Sequence, residues 1–126
     1  IEHSGSSAST VSSVTINGNT GSGIHITNTG SLDATSNTIT NNSGDGITKI
    51  GTGTGSHFNS NTIHSNGELG IDLSDDEVTP NDANDVDAGP NNLQNFPVIN
   101  YILGDGTANV TLNAPNGKYR IQYYSN

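Results

Sequence analysis

The sequence predicts an all-β protein built around a short right-handed parallel β-helix of about three rungs. Two series of residues indicate this fold. An isoleucine recurs at Ile16, Ile39 and Ile63, and a Gly-Ile pair recurs at positions 23–24, 46–47 and 70–71 with the same two steps. A period of roughly 23–24 residues in apolar residues and glycines is typical of repeat architectures, in which each repeat packs mainly on its neighbours.

The composition fits a narrow repeat core better than a broad globular core. The chain has 126 residues, enough for about one domain, and only 29% of them are hydrophobic. Low apolar content with a net charge of −9 is a combination typical of disorder. Disordered chains have no reason to space their few aliphatic residues regularly, so the pattern favours a folded coil.

The charge distribution excludes several partners. Twelve acidic residues face only three basic ones, Lys49, Lys118 and Arg120. Binding to nucleic acid or to an anionic membrane needs clustered Lys and Arg, so neither is expected. No apolar run approaches ~20 residues, which argues against membrane insertion. The chain starts at Ile1 inside a repeat, so we expect it to be a piece of a longer protein.

Three short strands are expected in each rung, and together they assign residues 1–73 to the β-helix. The strands are separated by Gly and Asn corners and pair in parallel with the rungs above and below. The first strands lie around Val11, Ala34 and Phe58, and the second around Ile16, Ile39 and Ile63. The third strands are Ile24–Ile26, Ile47–Lys49 and Ile71–Leu73, in which we expect the aliphatic side chains to point inward and His25, Thr48 and Asp72 outward.

Asparagines follow the same register and predict hydrogen-bonded ladders. Asn19, Asn42 and Asn66 each stand three residues after the aligned Ile, and Asn37 lies over Asn61. Stacked amides bond to one another along a ladder, as they do in cross-β structures. Asn also tolerates the left-handed backbone that a corner requires.

The register ends after Leu73, and two further regions follow. Residues 74–95 form an acidic Asp/Asn/Pro loop, and residues 96–126 are predicted to form antiparallel strands. Strands are expected at Phe96–Leu103, Ala108–Leu112 and Lys118–Tyr124, with turns at 104–106 and 114–117. Two interpretations remain open: a cap on the end of the β-helix, or the opening strands of a β-sandwich.

The acidic loop is the predicted metal site. Seven of the twelve acids lie within residues 72–87, and no Lys or Arg stands between Lys49 and Lys118. Ca²⁺ takes six to eight oxygen ligands, so this density of carboxylates favours it as a cofactor. The alternative is a solvated acidic loop. The candidate ligands are Asp72, Asp75, Asp76, Asp82, Asp85 and Asp87.

Other chemistry is not expected in this chain. No two of the four histidines share a column of the predicted coil, which argues against zinc. Asp45 and Glu68 fall at nearly the same rung position and are the best pair for glycoside hydrolysis. They lie at a Gly-rich corner with no aromatic platform. The eliminative route needs an Arg or Lys as base beside Ca²⁺, and Lys49 is the only such residue in the coil. We therefore expect no catalytic residues here.

Two parts of the sequence resemble known proteins. The three rungs, best seen at Asn61–Leu73, resemble the repeats of pectate-lyase-like right-handed parallel β-helix proteins. The stretch Gly70–Val98 is similar to the end of the β-helix region in large secreted or surface-anchored bacterial and archaeal proteins, where a sandwich-like segment follows. The resemblance implies an extracellular, multi-domain parent. The catalytic residues of the lyase and polygalacturonase relatives have no matching positions here.

These observations favour a non-catalytic structural or adhesive module of an extracellular surface protein or fibre. We expect it to be stabilised by Ca²⁺, to stack end to end with adjacent copies or neighbouring domains, and to have carbohydrate as a further partner. The alternative is a fragment of a polysaccharide-active lyase or hydrolase whose active site lies elsewhere. Ice binding through Thr15, Thr38 and Thr62 is disfavoured because no adjacent Thr-x-Thr rank repeats.

Overall fold

A computed structural model describes residues 1–123 as a parallel β-helix followed by an irregular loop and an antiparallel hairpin. The strands of the coil are β1 (Glu2–His3), β2 (Ser9–Ser12), β3 (Thr15–Asn17), β4 (Ile24–Ile26), β5 (Leu32–Thr35), β6 (Thr38–Thr40), β7 (Ile47–Lys49), β8 (His57–Asn59), β9 (Thr62–His64) and β10 (Ile71–Leu73). The hairpin consists of β11 (Val98–Ile102) and β12 (Ala108–Thr111), and a short 3₁₀ segment at Pro90–Leu93 precedes it.

Three parallel sheets run along the coil in the predicted register. They contain β1-β4-β7-β10, β2-β5-β8 and β3-β6-β9. Ile16 pairs with Ile39 and Ile39 with Ile63, so the period of the sequence is the step between rungs. The three-strand rung is therefore confirmed. Strand β1 was not predicted, although its pairing of His3 with Ile26 follows the same step.

The core is a narrow column of aliphatic side chains contributed by every rung. Val11, Phe58 and Ile71 are partly buried and pack against it. Because each rung buries only a few aliphatic residues, the fold needs little hydrophobic mass, which explains the low apolar content. The buried aliphatic residues are Ile16, Ile24, Ile26, Leu32, Ala34, Ile39, Ile47 and Ile63.

Close approach of the rungs explains the repeated Gly-Ile pair. A Cβ placed on Gly46 would lie 2.5 Å from the Cγ2 atom of Ile63 and 2.6 Å from the carbonyl oxygen of Gly70. Gly23 is equally confined, with Ile39 and Gly46 in the matching positions. Real Cβ atoms do not approach so closely, so only glycine fits where the third strand begins.

Both asparagine ladders form, and Asn42 shows how they work. Its Oδ1 accepts hydrogen bonds from the backbone N–H and the Nδ2 of Asn19, at 3.2 and 2.7 Å. Its Nδ2 donates to the Oδ1 of Asn66 at 2.9 Å and to the carbonyl of Ile16 at 3.4 Å. One buried amide therefore joins three successive rungs. The Nδ2 of Asn37 donates likewise to the Oδ1 of Asn61 at 3.0 Å.

The left-handed corner conformation, however, belongs to the residue before each ladder asparagine. Residues 13, 36 and 60 are serines with φ of 56°, 58° and 56°, and they precede the column of Asn37. Gly18, Asn41 and Ser65 have φ of 73°, 53° and 55° and precede the column of Asn42. The expectation that the ladder asparagines themselves adopt this conformation is wrong. Their role is to bond between rungs.

Lys49 breaks the inward aliphatic pattern. It pairs with Ile26 on one side and with Leu73 on the other, so its side chain points into the coil, where it is fully buried. Its Nζ donates a single hydrogen bond, 3.5 Å long, to the carbonyl of Gly30. Burial lowers the pKa of this amine below its usual value of 10.5.

His25, Thr48 and Asp72, predicted to point outward in one column, are aligned in successive rungs, but their side chains are not all exposed. Thr48 is paired with both of the others, and Thr48 and Asp72 are buried while His25 is partly exposed. The hydroxyl of Ser22 lies 2.7 Å from that of Thr48, and the turn after Leu73 folds back over Asp72. Neighbouring corners therefore cover two of the three side chains that alternation places on the surface.

The loop after β10 is organised by single asparagine side chains. Asn95 is 4% exposed and bonds to the backbone of Asp82 and of Asn113. Asn91, in the 3₁₀ segment, accepts from the N–H of Ser56 at 3.0 Å and donates to its carbonyl at 2.9 Å. Ser56 directly precedes β8, the last strand of the sheet β2-β5-β8. Asn91 therefore occupies the position that a strand of a further rung would take next to β8.

The hairpin has one wholly apolar face because of a β-bulge. The pairing shifts between Ile99, which opposes Val110, and Tyr101, which opposes Asn109. Opposed residues project to the same side of an antiparallel pair. Consequently Ile99 and Val110 share a face with Ile102 and Ala108, the pair that follows Tyr101 and Asn109.

The predicted strand at Lys118–Tyr124 is wrong over residues 118–123. Residues 118–123 form no strand, and Tyr124 lies outside the described residues. Side-chain bonds hold this segment instead. The hydroxyl of Tyr119 donates to the carbonyl of Pro115 at 2.6 Å, and the Oε1 of Gln122 accepts from the N–H of Ser60 at 3.2 Å. The segment therefore lies against the last rung rather than beside β12.

Candidate functional site

Two clefts of opposite charge lie at the C-terminal end of the coil. The first, called here the acidic cleft, has a volume of about 440 Å³. Leu69 and Val78 are its only apolar lining residues, and no basic residue lines it. Its six carboxyl-bearing residues are Asp45, Glu68, Asp72, Asp75, Asp76 and Glu77.

Asp45 forms the buried floor of the acidic cleft. It stands in the Gly-flanked corner before β7 and is 1% exposed. Its Oδ2 accepts a hydrogen bond from the hydroxyl of Thr48 at 2.6 Å, and its Oδ1 accepts from the N–H of Leu69, one rung further on, at 2.8 Å. These bonds hold the carboxylate at a fixed position between two rungs.

Asp72 lies on β10 beside Asp45 and starts the acidic turn. Its two oxygens accept from the N–H groups of Asp75 and Glu77, both at 3.1 Å. Burial raises the pKa of Asp72 above its usual 3.8, and the nearby charge of Asp45 adds to the effect. The hydrogen bonds from the turn oppose the shift but do not cancel it.

The six predicted calcium ligands do not meet at one point. Asp72, Asp75 and Asp76 line the acidic cleft, whereas Asp82, Asp85 and Asp87 do not. Asp82 accepts from the N–H of Val86 at 3.1 Å, and Asp85 accepts from the N–H of Asn95 at 2.6 Å. Those two carboxylates shape the loop. Within residues 1–123, no three His, Asp or Glu side chains stand close enough together to hold a metal ion.

The pair considered for glycoside hydrolysis, Asp45 and Glu68, does come together, since both line the acidic cleft. Lys49, the only Lys or Arg of the coil, points into the core and away from the cleft, so it is not placed to abstract a proton there. The register of the repeat predicted that Asp45 and Glu68 lie close together. The inward orientation of Lys49 was not predicted.

The histidines take part in separate local contacts. His57 bonds at 2.9 Å to Asp33, its partner on the adjacent rung, and both side chains are exposed. His64 bonds to Thr40 at 3.3 Å, and His25 lies 3.9 Å from Glu2. The Nε2 of His3 is buried and has no hydrogen-bond partner among the described residues.

The second cleft, called here the basic cleft, was missed from the sequence. It measures about 470 Å³ and lies between the last rung and the segment 118–122. Phe58 and Ile71 line it from the coil, and Lys118, Tyr119, Arg120 and Gln122 line it from the other side. No Asp or Glu is among its lining residues. The available signal was that Lys118 and Arg120 are the only basic residues outside the coil.

Residues 1–123 contain no helix that is long and apolar enough to cross a bilayer. Comparison with known families identifies the fold of the coil. A family model described as "Right handed beta helix region" matches residues 1–113, which include the coil, the acidic loop and the hairpin. No curated protein and no solved structure matches the chain significantly.

Proposed function

The chain belongs to the right-handed β-helix family, and from this premise we propose that it is a non-catalytic structural module of an extracellular surface protein or fibre. In this role the coil is a stiff spacer that accepts a further rung at its N-terminal end. The hydrogen-bonded ladders and the continuous core join each rung to the next, which is the property that a stacked spacer requires.

The observation that carries this proposal is the difference between the two ends of the coil. Strands β1, β2 and β3 each pair on one side only, and all three unpaired edges face the same end. Ile1 and Val14 are 48% and 41% exposed there. At the other end, β8, β9 and β10 also pair on one side only, but Asn91 and Gln122 already bond to the backbone on either side of β8. Growth of the coil is therefore expected at the N-terminal end.

A rung of the same period is the natural occupant of this edge. Glu2 pairs with His25, so the first two rungs already stack in the register of the repeat. A chain in which residues 1–23 are duplicated ahead of Ile1 would place a second copy of β1, β2 and β3 against the originals. We expect the melting temperature to rise by roughly 2–4 °C, as about 1 kcal/mol of added interface does in a domain of about 150 residues.

The matched control carries the duplicated segment in scrambled order. It adds equal length and composition but no register, and we expect its melting temperature to equal that of the original chain. Equal melting temperatures for the duplicated and scrambled chains would overturn the stacking proposal.

The extracellular placement is a separate proposal, supported by the acidic, cysteine-free composition and by the resemblance to surface proteins. Limited proteolysis of intact source cells tests it. Loss of the intact parent protein, with a cytoplasmic marker preserved, is the expected result; full protection that ends only on lysis would contradict it.

Calcium stabilisation is proposed for the acidic cleft alone, because six carboxyl-bearing residues line it and no basic residue does. Its carboxylates would have to move closer together to coordinate the ion. Ca²⁺ binding there would relieve the repulsion between Asp45 and Asp72. Adding millimolar CaCl₂ to metal-free protein is expected to raise the melting temperature by several degrees, and EDTA to reverse it. The variant Asp76→Asn should lose most of the effect, whereas Asp87→Asn should keep it. A melting temperature that does not change when Ca²⁺ is added would contradict the metal assignment.

A second candidate function, a fragment of a polysaccharide-active enzyme, is favoured by one observation. A buried carboxyl with a raised pKa beside a second carboxylate is the arrangement that general acid catalysis uses. Acidic polysaccharides should be incubated with the chain and with its longer parent, with and without Ca²⁺. New reducing ends or unsaturated products would support the enzyme and contradict the purely structural role.

A further inference from the structure

The basic cleft concentrates the positive charge of an acidic protein. Of the three basic residues, Lys49 is buried in the coil, and the other two, Lys118 and Arg120, are exposed and line this one cleft. Neither forms an ion pair within residues 1–123. The cleft thus differs in sign from the rest of the surface, and its cations are available to a ligand.

The cleft also holds an aromatic side chain in a fixed position. Tyr119 stands between the two bases and is 43% exposed. Its hydroxyl is anchored on the carbonyl of Pro115 at 2.6 Å, and its ring lies beside Gly117, whose added Cβ would meet the ring at 3.4 Å. A ring held in this way presents part of its surface without losing rotamer freedom when a ligand binds.

The two walls of the cleft are tied together. Gln122 bonds to the backbone of Ser60 at 3.2 Å on the coil, and Asn91 bonds twice to Ser56. A volume of about 470 Å³ lies within the range of small-molecule sites. The lining is mainly polar: nine polar or basic residues stand beside six apolar residues and Tyr119. The cleft is therefore a largely preformed site.

We propose that the basic cleft binds a carboxylate-bearing saccharide. Arg120 presents a planar fork that matches a carboxylate, and Lys118 adds a second positive charge. The exposed ring of Tyr119 offers an apolar surface for the C–H face of a sugar, and the amide of Gln94 in the lining provides a polar group for hydroxyls. The proposal is independent of the stacking of rungs, because the cleft lies at the opposite end of the coil.

A tetrasaccharide of alternating glucuronate and N-acetylglucosamine is a suitable probe, titrated into ¹⁵N-labelled full chain. The expected result is saturable shifts of the amides of Tyr119 and Arg120, weakening as salt is raised. The same tetrasaccharide with methyl-esterified carboxyls should bind about tenfold more weakly, since it keeps the sugar but loses the charge-assisted bonds. Equal binding of the two, or no binding of either, would overturn the proposal.

Variants separate the contributions of charge and stacking. Arg120→Gln and Tyr119→Ala should each weaken binding of the tetrasaccharide about tenfold. Tyr101→Ala, which removes an exposed tyrosine on the hairpin away from the cleft, should bind as the original chain does. Unchanged affinity in Arg120→Gln would refute the assignment, and the dispersion of its NMR spectrum shows directly that this exposed substitution leaves the fold intact.

Two further ligands test whether the cleft recognises a saccharide or any molecule that carries a carboxylate. Sodium acetate alone should bind far more weakly than the tetrasaccharide, because it has no ring to stack on Tyr119. An acidic peptide of three aspartates should also bind more weakly. If acetate or the peptide matches the tetrasaccharide in affinity, the cleft is a general anion or peptide site and the saccharide proposal fails.

Discussion

The coil and the segment that follows it are stabilised in different ways. In residues 1–73, residues align with their equivalents one rung away, as Ile39 pairs with Ile16 on one side and with Ile63 on the other, all three in one core cluster. In residues 74–123, the buried contacts are made once each. Asn95, for example, bonds to Asp82 and Asn113, and no other described residue repeats that arrangement.

This difference separates cooperative from local stability. A substitution in the coil disturbs the rungs on both sides of it, so its cost spreads through the stack. A substitution in the loop loosens one set of contacts and leaves the register of the coil intact. The same residue type should therefore have different consequences in the two regions.

The largest effect is expected at Gly46. The change Gly46→Ala places a methyl group 2.5 Å from Ile63 and 2.6 Å from a backbone oxygen, neither of which can move without shifting a rung. We expect the free energy of unfolding to fall by about 3 kcal/mol or more, measured by urea denaturation. Gly21→Ala is the control, since nothing lies within 4 Å of the added methyl group. Similar losses in the two variants would contradict the close-packing account.

The ladder asparagine Asn42 and the loop asparagine Asn95 test the comparison directly. They are 2% and 4% exposed, and both side chains donate and accept. Asn42→Ala leaves the amide of Asn19 and the carbonyl of Ile16 without their partners, and we expect a loss of about 2–3 kcal/mol in global stability. Asn95→Ala should instead reduce hydrogen-exchange protection within residues 82–113 and leave the main melting transition of the coil nearly unchanged.

If Asn95→Ala lowers the main transition as much as Asn42→Ala does, the loop and the coil unfold as one unit. The distinction between the two regions would then be one of geometry only. The decisive measurement is residue-resolved exchange in each variant, because a single melting curve averages over both regions.

The same contrast explains what could be predicted from the sequence. Contacts between equivalent residues leave a period, so the rungs, the ladders and the proximity of Asp45 to Glu68 all follow from spacing. Contacts made once leave no period. The return of Glu77 over Asp72 depends on one turn, and the basic cleft depends on a segment that is distant from the last rung along the chain.

Lys49 shows a second reason why prediction from the sequence is incomplete. The register of the repeat gives the direction of a side chain but not the free-energy cost of burying its charge. The spacing places Lys49 in an inward column, yet its residue type suggests the surface, and the backbone register prevails. A long apolar stem and the carbonyl of Gly30 make the burial tolerable, although no carboxylate is paired with the amine among the described residues.

Replacing this amine should stabilise the coil. Lys49→Met keeps the stem and removes the buried charge, and we expect a gain of about 1 kcal/mol at pH 7. Because the folded-state pKa of Lys49 is lowered, the original chain gains stability as pH rises from that pKa toward 10.5. The advantage of Lys49→Met should therefore be greatest at neutral pH and shrink as pH approaches 10.5. Urea denaturation from pH 7 to pH 10 measures it, and a constant difference would contradict the burial of a charged amine.

The smallest expected effect concerns two carboxyls, one in each region, whose pKa values are shifted in opposite directions. The pKa of Asp72, at the end of the coil, is raised by burial, whereas the pKa of Asp105, in the hairpin turn, is lowered by hydrogen bonds from Thr107. The contribution of Asp72 is complete below pH 3.8 and is lost as pH rises through its folded-state pKa. The contribution of Asp105 is present above pH 3.8 and is lost as pH falls through its own lower pKa.

Carboxyl ¹³C titration of both residues by NMR measures these shifts directly, on opposite sides of the usual value. Asp45→Asn removes the neighbouring charge and should lower the pKa of Asp72 part of the way, because burial, the larger cause, remains. It should leave Asp105 unchanged. A pKa for Asp72 at or below 3.8 would mean that water reaches its carboxylate, and the acidic cleft would then be an open, solvated surface rather than a site where buried charges are held together by the stacked rungs.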